Sequence, residues 1–219
     1  MMSSLIKFIL NKMKVIFLDH DGVICLSTEW GGRHKKQKKW GGRKLSMTNN
    51  EVPLDCRFDN FNKKAIKILN EILEETGAEI VVSSDWKRWA NVEEMGEYYE
   101  SQGIKKKPIA FTPNLGQCTW YIDAYPAGFM WSRAWDLEQT RVIEIKQYLH
   151  DHPEITHWVS VDDLRMGKTG LDYSIPYEHE WGLDNFVETP KSTEGIKQTG
   201  IKEKIIKFLN SEIQDKKIN

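Results

Sequence analysis

The chain has 219 residues with 31 Lys/Arg against 32 Asp/Glu, a formal net charge of −1, and 40% hydrophobic residues. That balance gives enough apolar material for one α/β domain with insertions or two small domains, and excludes a strongly basic protein with a global attraction to nucleic acid. Three cysteines without CxxC spacing argue against a disulfide framework and fit a reducing, cytoplasmic setting.

No apolar run approaches the ~20 residues of a membrane span, so no membrane association is expected. The first residues, MMSSLIKFILNKMK, lack a charged leader before their apolar part and a small-residue cleavage site, so no signal peptide is expected. They are read as an N-terminal extension over 1–13, ahead of a single domain over 14–210 and a tail over 211–219. The charge is unevenly placed. Trp30 to Asn50 holds seven Lys/Arg and no acid, leaving the rest with 24 cations against 32 acids.

In chain order, Val15–Leu18 is a short apolar run that predicts a buried strand ending at Asp19. Residues 26–57 are polar and basic, with WGGR at Trp30 and again at Trp40, a pattern that predicts a hairpin or two glycine turns. FNKKAIKILNEILEE (61–75) places Ile66, Leu69, Ile72 and Leu73 at helical spacing, with Asn60 or Asn62 as cap and Gly77 beyond its end. Ala78–Val82 predicts a second strand, ending at Ser83 and Ser84. Val92–Gln102 predicts a helix closed by Gly103, and Pro108–Phe111 a third strand ending at Thr112. An aromatic insertion covers 116–136. Leu137–His150 then predicts a helix, His157–Val161 a fourth strand ending at Asp162 and Asp163, Phe186–Val187 a short fifth strand, and Ile201–Leu209 a closing amphipathic helix.

Strands alternating with helices predict an α/β fold: a Rossmann-like parallel sheet with helices on both faces and small cap-like insertions after the first and third strands. Ligands bind such sheets at the carboxyl ends of the strands. Here those ends carry Asp19, Asp21, Ser83, Thr112, Asp162 and Asp163. Acids collected at one edge repel one another. Mg²⁺ resolves this, because it prefers carboxylate oxygens and leaves sites open for a substrate phosphate.

These residues carry a resemblance. DHDGV resembles the first motif of the haloacid dehalogenase (HAD) superfamily of phosphohydrolases, VVSS its second and VSVDD its fourth. The third, a Lys or Arg on the helix before the fourth strand, is matched by Arg141, with Lys146 as the alternative. From about Lys14 to Leu209 the chain is similar to HAD domains found alone or fused to RNA-repair modules. The resemblance implies Asp19 as the nucleophile that forms an aspartyl-phosphate, and Asp21 as general acid and base. It implies Mg²⁺ held by Asp19, Asp21 (through its backbone carbonyl), Asp163 and Asp162. It further implies that Ser83 and Arg141 hold the phosphoryl oxygens, with Gly22 for the turn and Ser84 beside the substrate.

Superfamily members choose substrates through insertions. The basic segment, with Arg33 and Arg43 among its cations and two Trp, suits a nucleotide or nucleic-acid end. In the aromatic insertion, Arg133 is a candidate second phosphate or sugar contact, while most of its Trp residues suit a small local core. MGKTG (166–170) is no Walker loop, because its first glycine falls on Asp162. His150, His152 and His157 read as surface residues, and Lys35–Lys39 carries no further sign of a localisation signal. The expected activity is a Mg²⁺-dependent phosphomonoesterase acting on a nucleotide or nucleic-acid terminus, with no obligate protein partner. A phosphatase for small sugar phosphates and a non-catalytic nucleic-acid-binding module are the alternatives.

Overall fold

The computed structural model describes residues 13–40, 52–115, 133–168 and 182–211. Five strands, all parallel, form one sheet: β1 (Met13–Leu18), β2 (Glu79–Val82), β3 (Ala110–Phe111), β4 (Ile155–Asp162) and β5 (Phe186–Glu188). Their order is β3-β2-β1-β4-β5. The chain builds outward from β1 to β3, then crosses to β4 on the other side of β1. The order therefore reverses between β1 and β4, where a crevice opens outside the strand ends.

Alternation along the strands sorts side chains to two faces. Ile16, Leu18, Ile80, Val82, Val159 and Val161 pack on one face with helices α3 (Lys63–Thr76), α4 (Val92–Gln102) and α6 (Ile201–Asn210). Val15, Phe17 and Val81 pack on the other with α5 (Arg133–Asp151) through Val142, Ile145 and Tyr148. The α/β class and the helices on both faces are as expected.

Local chemistry fixes the element ends. The Asn62 side chain accepts from the amides of Lys64 and Ala65, so it rather than Asn60 caps α3, and Gly77 closes the helix at φ 70°. Asn91 and Glu94 form a reciprocal capping box on α4.

The described part of the stretch after β1 is helical where a hairpin or two glycine turns were expected, and the second WGGR beyond Trp40 lies outside the described residues. The described part forms α1 (Gly32–Trp40), with a short α2 (Leu54–Arg57) following. Lys, Arg and Gln are good helix formers. Gly31 and Gly32 mark its start, and the Asp59 carboxylate accepts the amides of Gly31 (3.2 Å) and Arg33 (2.6 Å). That cap comes from 26 residues away, out of reach of local pattern. Among the described residues no helix is long and apolar enough to cross a membrane.

Leu69 is wholly buried on α3, whereas Ile109 is 43% exposed. Leu69→Ala is expected to lower unfolding free energy by about 2–5 kcal/mol, and Ile109→Ala by less than about 0.5 kcal/mol, read from urea denaturation.

Candidate active site

The β1–β4 register pairs Leu18 with Val161, so the residues that follow, Asp19 and Asp162, leave the sheet side by side. The amide of Asp19 still donates to the carbonyl of Val161 (3.1 Å). Asp19 and Asp162 are buried, and with Asp163 each offers a carboxylate oxygen within 4.8 Å of the others. This donor set is all oxygen, the chemistry a hard divalent cation such as Mg²⁺ takes, and three acids at this spacing fit one.

One cation is built in. Arg141 Nη1 donates to Asp162 Oδ2 at 2.7 Å and lies 3.2 Å from Asp19 Oδ1. Burial opposes the charge on Arg141, and Asp162 and Asp19 restore it, so the guanidinium stays protonated. Lys146 lies five residues further along α5, about 140° around the helix, and is exposed. Helix phase therefore brings Arg141 to these acids. The same cation expected for a phosphate pairs here with two carboxylates.

One arginine does not neutralise three acids. Burial drives the Asp19 carboxyl well above its ordinary range; Arg141 opposes this, while Asp162, Asp163 and Asp21 add to it. Asp162 is raised by burial against Arg141. Asp163 is raised to about 7, by burial and then by Asp162.

Asp21 stands apart from this group. Its Oδ2 accepts from the indole N–H of Trp86 at 2.8 Å, and burial raises its pKa while that bond lowers it. Between the two acids, His20 turns the opposite way, into a cage of Phe61, Trp86 and Tyr99. Its Nε2 is 2.6 Å from Tyr99 Oη, and burial, then Arg141, lower its pKa to about 3, so the ring is neutral. The His20 carbonyl accepts the amides of Val23, Ile24 and Cys25, which closes the turn. Gly22 sits in it at φ 70°, and a Cβ there would lie 2.2 Å from Asp163 Oδ2. Both the backbone conformation and the close approach require glycine. Thr189, after β5, braces the same turn by donating to the Gly22 carbonyl.

Ser83 follows β2, with its amide on the Leu18 carbonyl. Its hydroxyl is buried with no hydrogen-bond partner among the described residues. Ser84, expected beside substrate, instead caps the short 3-10 turn Asp85–Arg88 by accepting from the Trp86 amide. Arg33 sits in the first turn of α1 near Asp21, on whose carboxyl its charge bears, and its guanidinium lies over the Trp89 ring. Arg43, the side chain of Arg133 and the aromatic insertion up to 132 lie outside the described residues.

Three groups were missed in the sequence. Trp86 and Lys87 follow the Ser pair directly, in SSDWK, a position that could have flagged them. Lys87 Nζ is buried against Glu144, Thr112 Oγ1 (3.0 Å) and the Pro113 carbonyl (2.9 Å). Glu144 carried no signal, being 57 residues distant.

Paired acids after β1, a serine after β2, a cation on the helix before β4 and paired acids after it define a HAD-type domain on a parallel sheet. The model of the HAD domain in Swiss Army Knife RNA repair proteins matches residues 15–198, and the chain belongs to that family. No curated protein and no solved structure matches it.

Removing Arg141 leaves buried carboxylates uncompensated. Arg141→Met is expected to cost about 3–5 kcal/mol at pH 8, measured by urea unfolding with a chelator present. The wild type has its own pH signature. The folded chain holds the Asp163 proton up to about 7, while the unfolded chain releases it near ~3.9. The folded state then binds more protons across that window, so chelated protein loses stability as pH rises through it. A melting temperature that climbs from pH 5 to 8 would contradict this, and Asp163→Asn should flatten the slope.

Proposed function

We propose that the protein is a Mg²⁺-dependent phosphomonoesterase that releases phosphate from a nucleotide or a nucleic-acid terminus through an aspartyl-phosphate. The observation that carries this reading is the split between the two acids of the DHD turn. Asp19 is buried against Arg141 and the carboxylate cluster, while Asp21 is held separately by Trp86. A carboxylate beside positive charge suits a nucleophile, and a carboxyl with a raised pKa nearby suits an acid.

Asp19, Asp162 and Asp163, with the Asp21 carbonyl, would hold Mg²⁺. When bound, the ion supplies the charge that keeps Asp19 ionised and offsets the phosphoryl oxygens. The protein's own groups do the rest. An Asp19 oxygen attacks phosphorus in line as the bond to the leaving oxygen breaks. Asp21 gives its proton to that leaving oxygen, then takes one from the water that cleaves the acyl phosphate and returns Asp19. The Ser83 hydroxyl is free to donate to a phosphoryl oxygen, and Arg141 lends its charge to the same group. The neutral His20 ring takes no proton in this scheme. It anchors the turn that carries the two acids.

A nucleic-acid-related substrate is supported by the family, described from RNA repair proteins.

The experiment is phosphate release with Mg²⁺ from 5′- and 3′-mononucleotides, oligonucleotides with either terminal phosphate, and sugar phosphates. Release is expected from nucleotides or phosphorylated ends, with loss on chelation. Asp19→Asn should abolish turnover and Asp21→Asn lower it by roughly 10²–10⁴. No release from any of these by the wild type would rule the reading out.

A further inference from the structure

Helix α1 has the composition of a helix that should not stand on its own. Its nine residues, GRHKKQKKW, hold five Lys/Arg, no acid and one apolar side chain, Trp40 at the last position. Such a segment has no apolar stripe to bury against a core. Polar bonds tether it instead. Lys36 Nζ donates to the carbonyls of Asp55 (2.7 Å) and Phe58 (3.1 Å) and to Asn60 Oδ1 (2.8 Å). Gln37 Nε2 donates to the Cys56 carbonyl (2.9 Å), and Asp59 caps the first turn.

These tethers fix one face of the helix and leave the other turned to solvent. Lys35, Lys38 and Lys39, spaced three and four apart, form one exposed cationic stripe. Like charges at that spacing destabilise a helix by themselves. A polyanion laid along the stripe would relieve them.

The stripe begins beside the catalytic turn. Trp30, just ahead of α1, has its indole N–H on the Cys25 carbonyl (3.2 Å), and Cys25 is bridged to Asp21. Pinned there, the ring is still 49% exposed. In the mechanism above, Asp21 protonates the leaving oxygen, so the leaving group departs on this side. A leaving group that is a nucleoside would meet an aromatic face, on which any base can stack.

We infer that Trp30 and the Lys35, Lys38 and Lys39 stripe form a track for a single-stranded polynucleotide bearing the scissile phosphate at its end. The inference rests on the reading of Asp21 as the leaving-group acid. It narrows the substrate from nucleotides in general to a nucleic-acid strand. The nine residues of α1 run about 13 Å, a length that a strand of a few nucleotides spans. Phosphates of that strand meet the lysines, and the base nearest the reaction stacks on Trp30.

The test separates binding from turnover. Calorimetry is run on the full chain carrying Asp19→Asn, and on wild type with EDTA. The ligands are single-stranded oligouridylates and oligothymidylates of one to eight nucleotides with a terminal phosphate. Affinity should rise over the first few nucleotides and then level off. Replacing Lys35, Lys38 and Lys39 together by Gln should lower the salt slope by about 2, since each phosphate contact on a single strand contributes about 0.7. Turnover of para-nitrophenyl phosphate, which has no chain to grip, should be unchanged in that variant. Trp30→Ala should weaken oligonucleotide binding at least about fivefold. Equal affinity for one and eight nucleotides, an unchanged salt slope in the triple variant, or preference for anionic phosphatidylserine vesicles over oligonucleotides would each overturn the track. A wild type that turns over phosphoesters while the binding series stays flat would sink the track and spare the phosphatase reading. Length-dependent binding without turnover of any substrate would do the reverse.

Discussion

Burying several carboxylates side by side is the constraint on which the rest of this structure depends. Two unit charges 4 Å apart repel by about 4 kcal/mol at an effective dielectric constant near 20, and this site brings an oxygen from each of three acids to within 4.8 Å. The surrounding fold answers that charge in several ways. The β1–β4 register sets Asp19 against Asp162. The Leu164 amide donates to Asp162 Oδ1 at 2.9 Å. Glycine at 22 admits the Asp163 carboxylate where any side chain would collide with it. Helix α5 brings Arg141 to both buried acids. Burial first, and the neighbouring Asp162 charge after it, shift Asp163 toward neutrality, and the all-oxygen donor set of the three acids suits a hard cation.

The second feature of the site is that two acids separated by one residue have different surroundings. In an extended segment, alternate side chains take opposite sides, so Asp19 and Asp21 would share one environment if the strand continued. The turn after Asp19 prevents this. Three amides converge on the His20 carbonyl, and the His20 ring enters an aromatic group in which Trp86 stacks on Phe58 and Phe61. Trp86 then presents its N–H to Asp21. The same ring packs against His20 and orients Asp21.

Much of this was legible in the chain. The strand ends were, because each apolar run stops at a polar residue. So were Gly77 and the Asn cap of α3, because the chemistry of helix ends is local. The choice between Arg141 and Lys146 was not, since it depends on helix phase relative to a partner sheet. Phase appears once Val142, Ile145 and Tyr148 are seen to face the sheet. The form of α1 was hidden for a different reason. Its sequence has no hydrophobic period, and what holds it are carbonyls and carboxylates on 55–60, which no pattern within 30–43 reports. Repeated glycines therefore read as turns, although Gly31 and Gly32 open a helix.

Lys87 and Glu144 show why a buried ion pair can matter here without adding to stability. Both side chains are about 5–6% exposed, and the desolvation of two charges commonly cancels their attraction. Burial lowers the Lys87 pKa even with Glu144 opposing it. What the pair does is geometric. Lys87 belongs to the turn after β2, Thr112 and Pro113 to the end of β3, and Glu144 to α5, with Glu144 also accepting the Leu115 amide. Glu144 lies three residues after Arg141, on the same side of the helix. Turning α5 by one residue, about 100°, would break this junction and swing Arg141 away from Asp19 together. The Lys87 junction thus fixes the rotation of α5, and through it the aim of Arg141 at the carboxylates.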